Sequence, residues 1–201
     1  MMFEMDLDIF TRCVDLCSKV YTSSSHNIDG VTFLVVEINQ EIYISFKGSD
    51  GLLDWLTNFS FWSTKVNDIY IHSGFLQSFI KIKDTLDSII SEKIMKRNMK
   101  HIYFTGHSSG GSLASICGYM YGIGHVVTFG SPRVGCSGFV EKLNEIQNVH
   151  FQSMSDWVVI LPCYLSLPKN CIAVGKVREC CCIFQSHGIE YYQDAISCMD
   201  P

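Results

Sequence analysis

The segment Gly106-His107-Ser108-Ser109-Gly110 is the part of the sequence most informative about the fold, because it joins a predicted strand at residues 101–105 to a predicted helix at residues 111–121. It has the pattern Gly-x-Ser-x-Gly, in which the turn is so sharp that the central serine takes a strained backbone conformation. Glycines flank the serine because a Cβ atom there would clash with the neighbouring strand and helix. Ser108 is therefore the candidate nucleophile. The backbone N–H of Ser109, at the start of the helix, is a candidate oxyanion donor.

On both sides of this turn, the hydrophobic periodicity of the sequence predicts alternating strands and helices. The predicted helices cover residues 6–21, 74–98, 111–121, 137–146 and 189–196, and the predicted strands cover residues 31–38, 41–46, 101–105, 125–129 and 149–154. Residues 31–46 are expected to form a hairpin, and residues 23–30 are expected to be a loop. Alternation of this kind predicts an α/β fold with a mostly parallel central sheet flanked by helices. Ligands of such sheets bind at the carboxyl ends of the strands. Neither a repeat nor a linker interrupts the chain, so we expect one domain over residues 1–201.

The bulk composition excludes several classes of protein. Hydrophobic residues make up 47% of the 201 residues and charged residues 17%, which is typical of a folded domain and not of a disordered chain. The net charge of −5 gives no reason to expect nucleic acid as a partner. The first residues lack the basic and then apolar pattern of a secretory signal, and no apolar run is long enough to span a bilayer. We therefore expect a cytoplasmic protein.

Ten cysteines are present, and Cys180-Cys181-Cys182 form an unusual run. A zinc site requires paired cysteine or histidine spacing, which the sequence lacks. The cysteines are expected to be reduced thiols. No phosphate-binding or calcium-binding loop is present either, so we expect neither a metal nor another cofactor.

A base and an acid can be assigned to the nucleophile by elimination. In serine hydrolases with this strand–turn–helix motif, the chain order is serine, acid and histidine. His187 is the histidine that follows Ser108 beyond all predicted strands, since His125 and His150 begin strands. Asp156 directly follows a predicted strand at its carboxyl end, unlike the other intervening acids, Glu141, Glu145 and Glu179. The predicted triad is therefore Ser108, His187 and Asp156.

Several further motifs occur in order along the chain, namely the segments 46–49, 54–55, 71–75, 104–114, 127–135, 155–156 and 161–162, followed by His187 before Tyr191-Tyr192. Together, over about residues 41–192, they resemble the class 3 (fungal-type) lipases of the α/β-hydrolase superfamily. The segment Val127-Thr-Phe-Gly-Ser-Pro-Arg-Val-Gly135 is highly recognisable in that family. The similarity implies an α/β-hydrolase fold and supports the predicted triad. His72 and Arg133 match family motifs and are interpreted as scaffold residues.

The resemblance also implies roles that spacing alone does not. Ser49 would supply a second oxyanion donor through its backbone N–H, with its hydroxyl as a further candidate donor, and the segment after it would be a lid. The predicted lid residues recur at helical spacing and form an apolar face: Leu52, Trp55, Leu56 and Phe59. A fixed helix packed on the core is the alternative for this segment. The chain departs from the family at Lys47, where arginine is usual, and at Ser109, where leucine is usual.

These features predict a carboxylic ester hydrolase that acts on acylglycerols through an acyl-enzyme. The expected partner is a lipid or small ester substrate, with transient contact with a lipid surface if the lid opens. Phospholipase A1 and short-chain esterase activities remain open, because groove shape decides between them. A non-catalytic interaction module with the lipase fold is the alternative from a different functional class.

Overall fold

The architecture is organised around a seven-stranded sheet with helices on both faces. The computed structural model describes residues 6–23, 26–49, 62–97, 100–175 and 186–199. The strands of the sheet are β1 (His26–Ile28), β2 (Val31–Ile38), β3 (Glu41–Phe46), β6 (His101–His107), β7 (His125–Phe129), β8 (Gln147–Ser153) and β9 (Cys171–Val174). Neighbouring strands follow the order β1-β2-β3-β6-β7-β8-β9 across the sheet. The first three strands pair antiparallel, and the pairs from β3 through β9 are parallel. A separate hairpin consists of β4 (Ser63–Val66) and β5 (Ile69–His72).

Two groups of helices cover the two faces of this sheet. The helices are α1 (Leu7–Lys19), α2 (Ser73–Arg97), α3 (Ser109–Tyr121), α4 (Ser137–Leu143) and α5 (Ile189–Ser197). Apolar residues of α1 and α5 share one core cluster, and those of α2, α3 and α4 share the other. Among the described residues, no helix combines the length and the apolar character needed to cross a bilayer.

The strands are apolar on both sides because both faces of the sheet are covered. In β6, Ile102 and Phe104 contribute to the cluster beneath α2 and α3, whereas Tyr103 between them contributes to the cluster beneath α1 and α5. Successive side chains of a strand point to opposite faces, so an uninterrupted apolar run fits a parallel sheet buried on both sides. This arrangement confirms the predicted α/β architecture with its mostly parallel central sheet.

The structure corrects the predicted elements at several places. The predicted loop at residues 23–30 contains the edge strand β1, and the hairpin β4–β5 and the edge strand β9 had no counterpart in the prediction. The predicted helix at residues 137–146 ends at Leu143. β8 begins at Gln147, two residues before the predicted start, so His150 lies inside this strand and does not begin it. Asp156 still follows β8 at its carboxyl end.

Candidate active site

The turn between β6 and α3 holds Ser108 in a strained conformation. Its φ is 55° and its ψ is −131°, values that a residue with a side chain rarely adopts. A Cβ atom on Gly106 would lie 2.2 Å from the backbone carbon of Gly110, and one on Gly110 would lie 2.2 Å from the carbonyl oxygen of Phe46. Both glycines are therefore required by close backbone contacts. The start of α3 therefore packs closely against the ends of β3 and β6, at the carboxyl edge of the sheet.

The structure brings Ser108, His187 and Asp156 into one hydrogen-bonded chain. The Nε2 atom of His187 lies 2.9 Å from Ser108 Oγ, and its Nδ1 atom lies 2.7 Å from Asp156 Oδ2. His187 lies just before α5, and Asp156 lies between β8 and a short 3₁₀ helix, Trp157–Ile160. An ionised carboxylate can only accept, so Nδ1 carries the proton and Nε2 is left to accept the proton of Ser108. All three side chains are buried.

The carboxylate of Asp156 is held by two further donors. The backbone N–H of Val158 donates to Oδ1 at 3.0 Å, and the hydroxyl of Tyr192 donates to Oδ2 at 2.8 Å. The Tyr192 hydroxyl in turn accepts from the backbone N–H of Ser153 at 3.1 Å. Burial, reinforced by the nearby charge of Asp156, raises the pKa of Tyr192, so this phenol stays protonated and can donate. In the sequence Tyr192 is only part of a family motif, and this contact was not predicted.

His107 supports the backbone of His187 through a contact that was not predicted from the sequence. Its Nε2 atom lies 2.6 Å from the carbonyl oxygen of His187, and its Nδ1 atom lies 3.0 Å from the hydroxyl of Tyr21. Burial, with the nearby His187 as a second cause, lowers the pKa of His107 to about 3, so the ring is neutral near pH 7. A carbonyl only accepts, so the single ring proton lies on Nε2, and Nδ1 accepts from Tyr21.

Ser49 and Ser109, the two predicted oxyanion donors, lie side by side. Phe46 of β3 pairs with Gly106 of β6, and each serine lies three residues beyond its member of this pair. The backbone N–H of Ser109 belongs to the first turn of α3, where helical N–H groups have no intrahelical acceptor. The side chain of Ser109 contacts Ser49 directly: Ser49 N–H donates to Ser109 Oγ at 2.9 Å, and the two Oγ atoms are 3.0 Å apart.

Other predicted features lie away from this chemistry or outside the described residues. Arg133 donates from Nη1 to the carbonyl oxygens of Cys163 and Leu165, at 3.1 and 2.9 Å, and so holds the segment beyond the 3₁₀ helix. His72 is buried against the ring of Phe75. Outside the described residues lie the predicted lid residues Leu52, Trp55, Leu56 and Phe59, together with Cys180-Cys181-Cys182. Within the described ranges, no three metal-ligating side chains cluster together.

Known proteins resemble this chain in sequence and in fold. A secreted mono- and diacylglycerol lipase from Fusarium solani is 32% identical over 114 residues, which are 53% of this chain and 34% of that protein. A chloroplastic phospholipase A1 from Arabidopsis thaliana is 35% identical over 104 residues, 46% of this chain and 16% of that protein. This chain therefore spans about a third or less of the length of these curated relatives.

Solved structures share the fold at low sequence identity. The triacylglyceride lipase of Rhizomucor miehei superposes with a TM-score of 0.70 at 20% identity, over 80% of this chain and 76% of that chain. The profile of the family described as Lipase (class 3) matches residues 43–165, which is more than half of this chain. The chain therefore belongs to the class 3 lipase family and has the α/β-hydrolase fold.

Proposed function

We propose that this protein is a carboxylic ester hydrolase that cleaves acylglycerol esters through an acyl-enzyme on Ser108. The observation that carries the proposal is the continuous hydrogen-bonded chain from Ser108 through His187 to Asp156. A non-catalytic module has no requirement for a strained serine, a histidine and a carboxylate in this arrangement. Similarity to a lipase and to a phospholipase A1 supports a lipid ester as the substrate.

In the proposed reaction, the Ser108 hydroxyl attacks the ester carbonyl while His187 Nε2 takes its proton. The carbonyl oxygen becomes an oxyanion, which the Ser109 N–H and Ser49 stabilise. His187 then returns the proton to the departing alcohol, and the acyl group stays on Ser108. Water, activated by the same histidine, hydrolyses this ester and regenerates the serine. Asp156 holds the Nδ1 proton throughout and stabilises the imidazolium.

Contact with a lipid surface is the second part of the proposal. Met154 and Ile160 flank Asp156 within four residues in sequence, and their side chains are 76% and 51% exposed. Apolar side chains exposed near the mouth of a site can enter the acyl region of a lipid interface. The lid at residues 52–59 remains a prediction from sequence.

The test is hydrolysis of p-nitrophenyl esters by the wild type and by Ser108→Ala. We expect kcat to fall by about 10³-fold or more in the variant, because the nucleophile is removed. Ser88→Ala is the matched control, since Ser88 is exposed on α2 and its hydroxyl donates to the carbonyl oxygen of Asp84 in the same helix. Equal activity in the wild type and in Ser108→Ala would overturn the assignment of the nucleophile.

The choice of substrate separates the candidate lipid esters. Acylglycerols, phosphatidylcholine and short-chain esters are offered in parallel, each below and above the concentration at which aggregates form. Preference for acylglycerols is expected. Preference for phosphatidylcholine, cleaved at the first acyl position, would establish a phospholipase A1 instead. An abrupt rate increase on aggregation would support contact with the lipid surface.

A further inference from the structure

The side chain of Ser109 is hydrogen-bonded to the backbone N–H and to the hydroxyl of Ser49, the predicted second oxyanion donor. Its Oγ atom accepts from the Ser49 N–H at 2.9 Å and lies 3.0 Å from Ser49 Oγ. Among the described residues, these are the polar contacts of Ser49, an exposed residue three positions after the end of β3. Ser109 Oγ therefore contributes to the orientation of Ser49.

This pair lies beside the nucleophile. A Cβ atom added to Gly48 would lie 2.8 Å from the carbonyl oxygen of His107 and 3.2 Å from Ser108 Cβ. The loop that carries Ser49 consequently passes in contact with the nucleophile turn. If the Ser49 side chain adopted a different rotamer, its hydroxyl would move by more than the roughly 0.5 Å within which an oxyanion donor must be placed.

Counting protons shows what the pair can donate. A serine hydroxyl has one proton and two lone pairs. Ser109 Oγ accepts the Ser49 N–H with one lone pair. The hydroxyls of Ser49 and Ser109 have two protons between them, and one of these forms the hydrogen bond that joins their Oγ atoms. The second hydroxyl proton is left over and can donate to a third group. Acceptance of the N–H polarises the pair and makes that remaining proton a stronger donor.

We propose that the Ser109 hydroxyl is a positioning residue, which orients Ser49 so that the pair donates its remaining hydroxyl proton to the oxyanion. The inference rests on the proposed ester hydrolysis. It gives the side chain of Ser109 a role in addition to the one predicted for its backbone N–H. Leucine, the usual family residue at this position, has no atom that could accept the Ser49 N–H. This chain therefore organises its oxyanion donors through a side-chain pair.

The experiment compares kcat and KM on p-nitrophenyl butyrate for the wild type, Ser109→Ala, Ser109→Thr, Ser49→Ala and the double alanine variant. Ser109→Ala is expected to lower kcat about tenfold with KM changed less than about twofold, because donors act mainly in the transition state. Threonine keeps the hydroxyl and should restore kcat to within about threefold of the wild type. Because the two serines act as one unit, the double variant should be no slower than Ser49→Ala.

Ser115→Ala is the control, since Ser115 lies on the same helix and donates to the carbonyl oxygen of Gly111. It should leave kcat unchanged. Equal kcat in Ser109→Ala and the wild type, or losses that multiply in the double variant, would overturn the positioning role and leave the proposed function standing. A wild type inert toward every ester would overturn both.

Discussion

At the scale of single residues, the carboxylate of Asp156 accepts from three donors, and each constrains the site differently. The bond from His187 fixes the tautomer of that imidazole, the bond from Val158 fixes the start of the 3₁₀ helix, and the bond from Tyr192 links the carboxylate to α5. The Tyr192 hydroxyl also accepts the last N–H of β8, from Ser153. The Tyr192 phenol thus connects the end of β8, the helix α5 and the carboxylate of Asp156.

Replacement of Tyr192 by phenylalanine should affect both activity and stability. The change leaves the buried Ser153 N–H without its acceptor, and we expect the free energy of unfolding to fall by about 1–3 kcal/mol. Loss of a donor to Asp156 should lower kcat by about threefold to tenfold, since the base is then less firmly oriented. Urea unfolding and p-nitrophenyl butyrate kinetics measure the two effects.

Tyr191→Phe provides the comparison for that variant. Tyr191 packs edge-on against Tyr192, with ring centroids 5.9 Å apart, and the structure gives its hydroxyl no contact with Asp156. Its removal should leave kcat at the wild-type value. If both variants lost the same activity, the contact with Asp156 would not be the cause.

At the scale of elements, the close packing of α3 against β3 depends on glycine. The Cβ of Gly110→Ala would meet the carbonyl oxygen of Phe46 at 2.2 Å, so either the helix or the strand must move. We expect a loss of about 3 kcal/mol or more in the free energy of unfolding, or failure to fold. Thermal and urea unfolding of the purified variant measure it.

A second helical glycine supplies the opposite expectation. The Cβ of Gly138→Ala, in α4, would find its nearest neighbour at 3.4 Å, an ordinary van der Waals distance. Alanine favours the helix over glycine, so this variant should gain up to about 1 kcal/mol. Similar destabilisation by both substitutions would show that backbone proximity is not what requires Gly110.

The missed elements are short, and a local signal existed for one of them. Residues 66–69 read Val-Asn-Asp-Ile, and both Asn67 and Asp68 have positive φ, at 46° and 68°. Two such residues between apolar neighbours form a tight hairpin turn, so β4–β5 could have been predicted. β1 and β9 have three and four residues and lie at the edges of the sheet, where pairing with a neighbour decides whether a segment is a strand.

At the scale of the whole molecule, buried histidines make stability depend on pH. Burial lowers the pKa of His107 to about 3 and that of His150 to about 4, from 6.5. Between pH 6.5 and 4 the unfolded chain binds protons that the folded protein does not. Stability is therefore full above pH 6.5 and is lost as the pH falls through this window, by up to about 1.4 kcal/mol per pH unit for each histidine.

His150→Gln tests this dependence because glutamine does not titrate. The Nδ1 atom of His150 lies 2.7 Å from Thr128 Oγ1, and its Nε2 atom lies 3.2 Å from Asn148 Oδ1. A glutamine side chain also offers a donor and an acceptor to these two partners. Between pH 6 and 4.5, the free energy of unfolding should fall less steeply with decreasing pH in the variant than in the wild type. The two slopes should differ by at most about 1.4 kcal/mol per pH unit, the contribution of one histidine. Parallel pH profiles for the two proteins would show that His150 is not responsible.

Sequence patterns alone predict the α/β class, most of the helices and strands around the turn at Ser108, and a candidate triad of Ser108, His187 and Asp156. Local patterns suffice for these predictions: hydrophobic periodicity indicates burial, Gly-x-Ser-x-Gly indicates the turn, and the carboxyl ends of parallel strands indicate where polar side chains lie close together. The bonds from Tyr192 to Asp156, from His107 to the carbonyl oxygen of His187 and from Ser49 to Ser109 are visible only in the folded chain. These partners are 36, 80 and 60 residues apart in the chain, and side-chain hydrogen bonds act only over about 3 Å, so no local pattern encodes them.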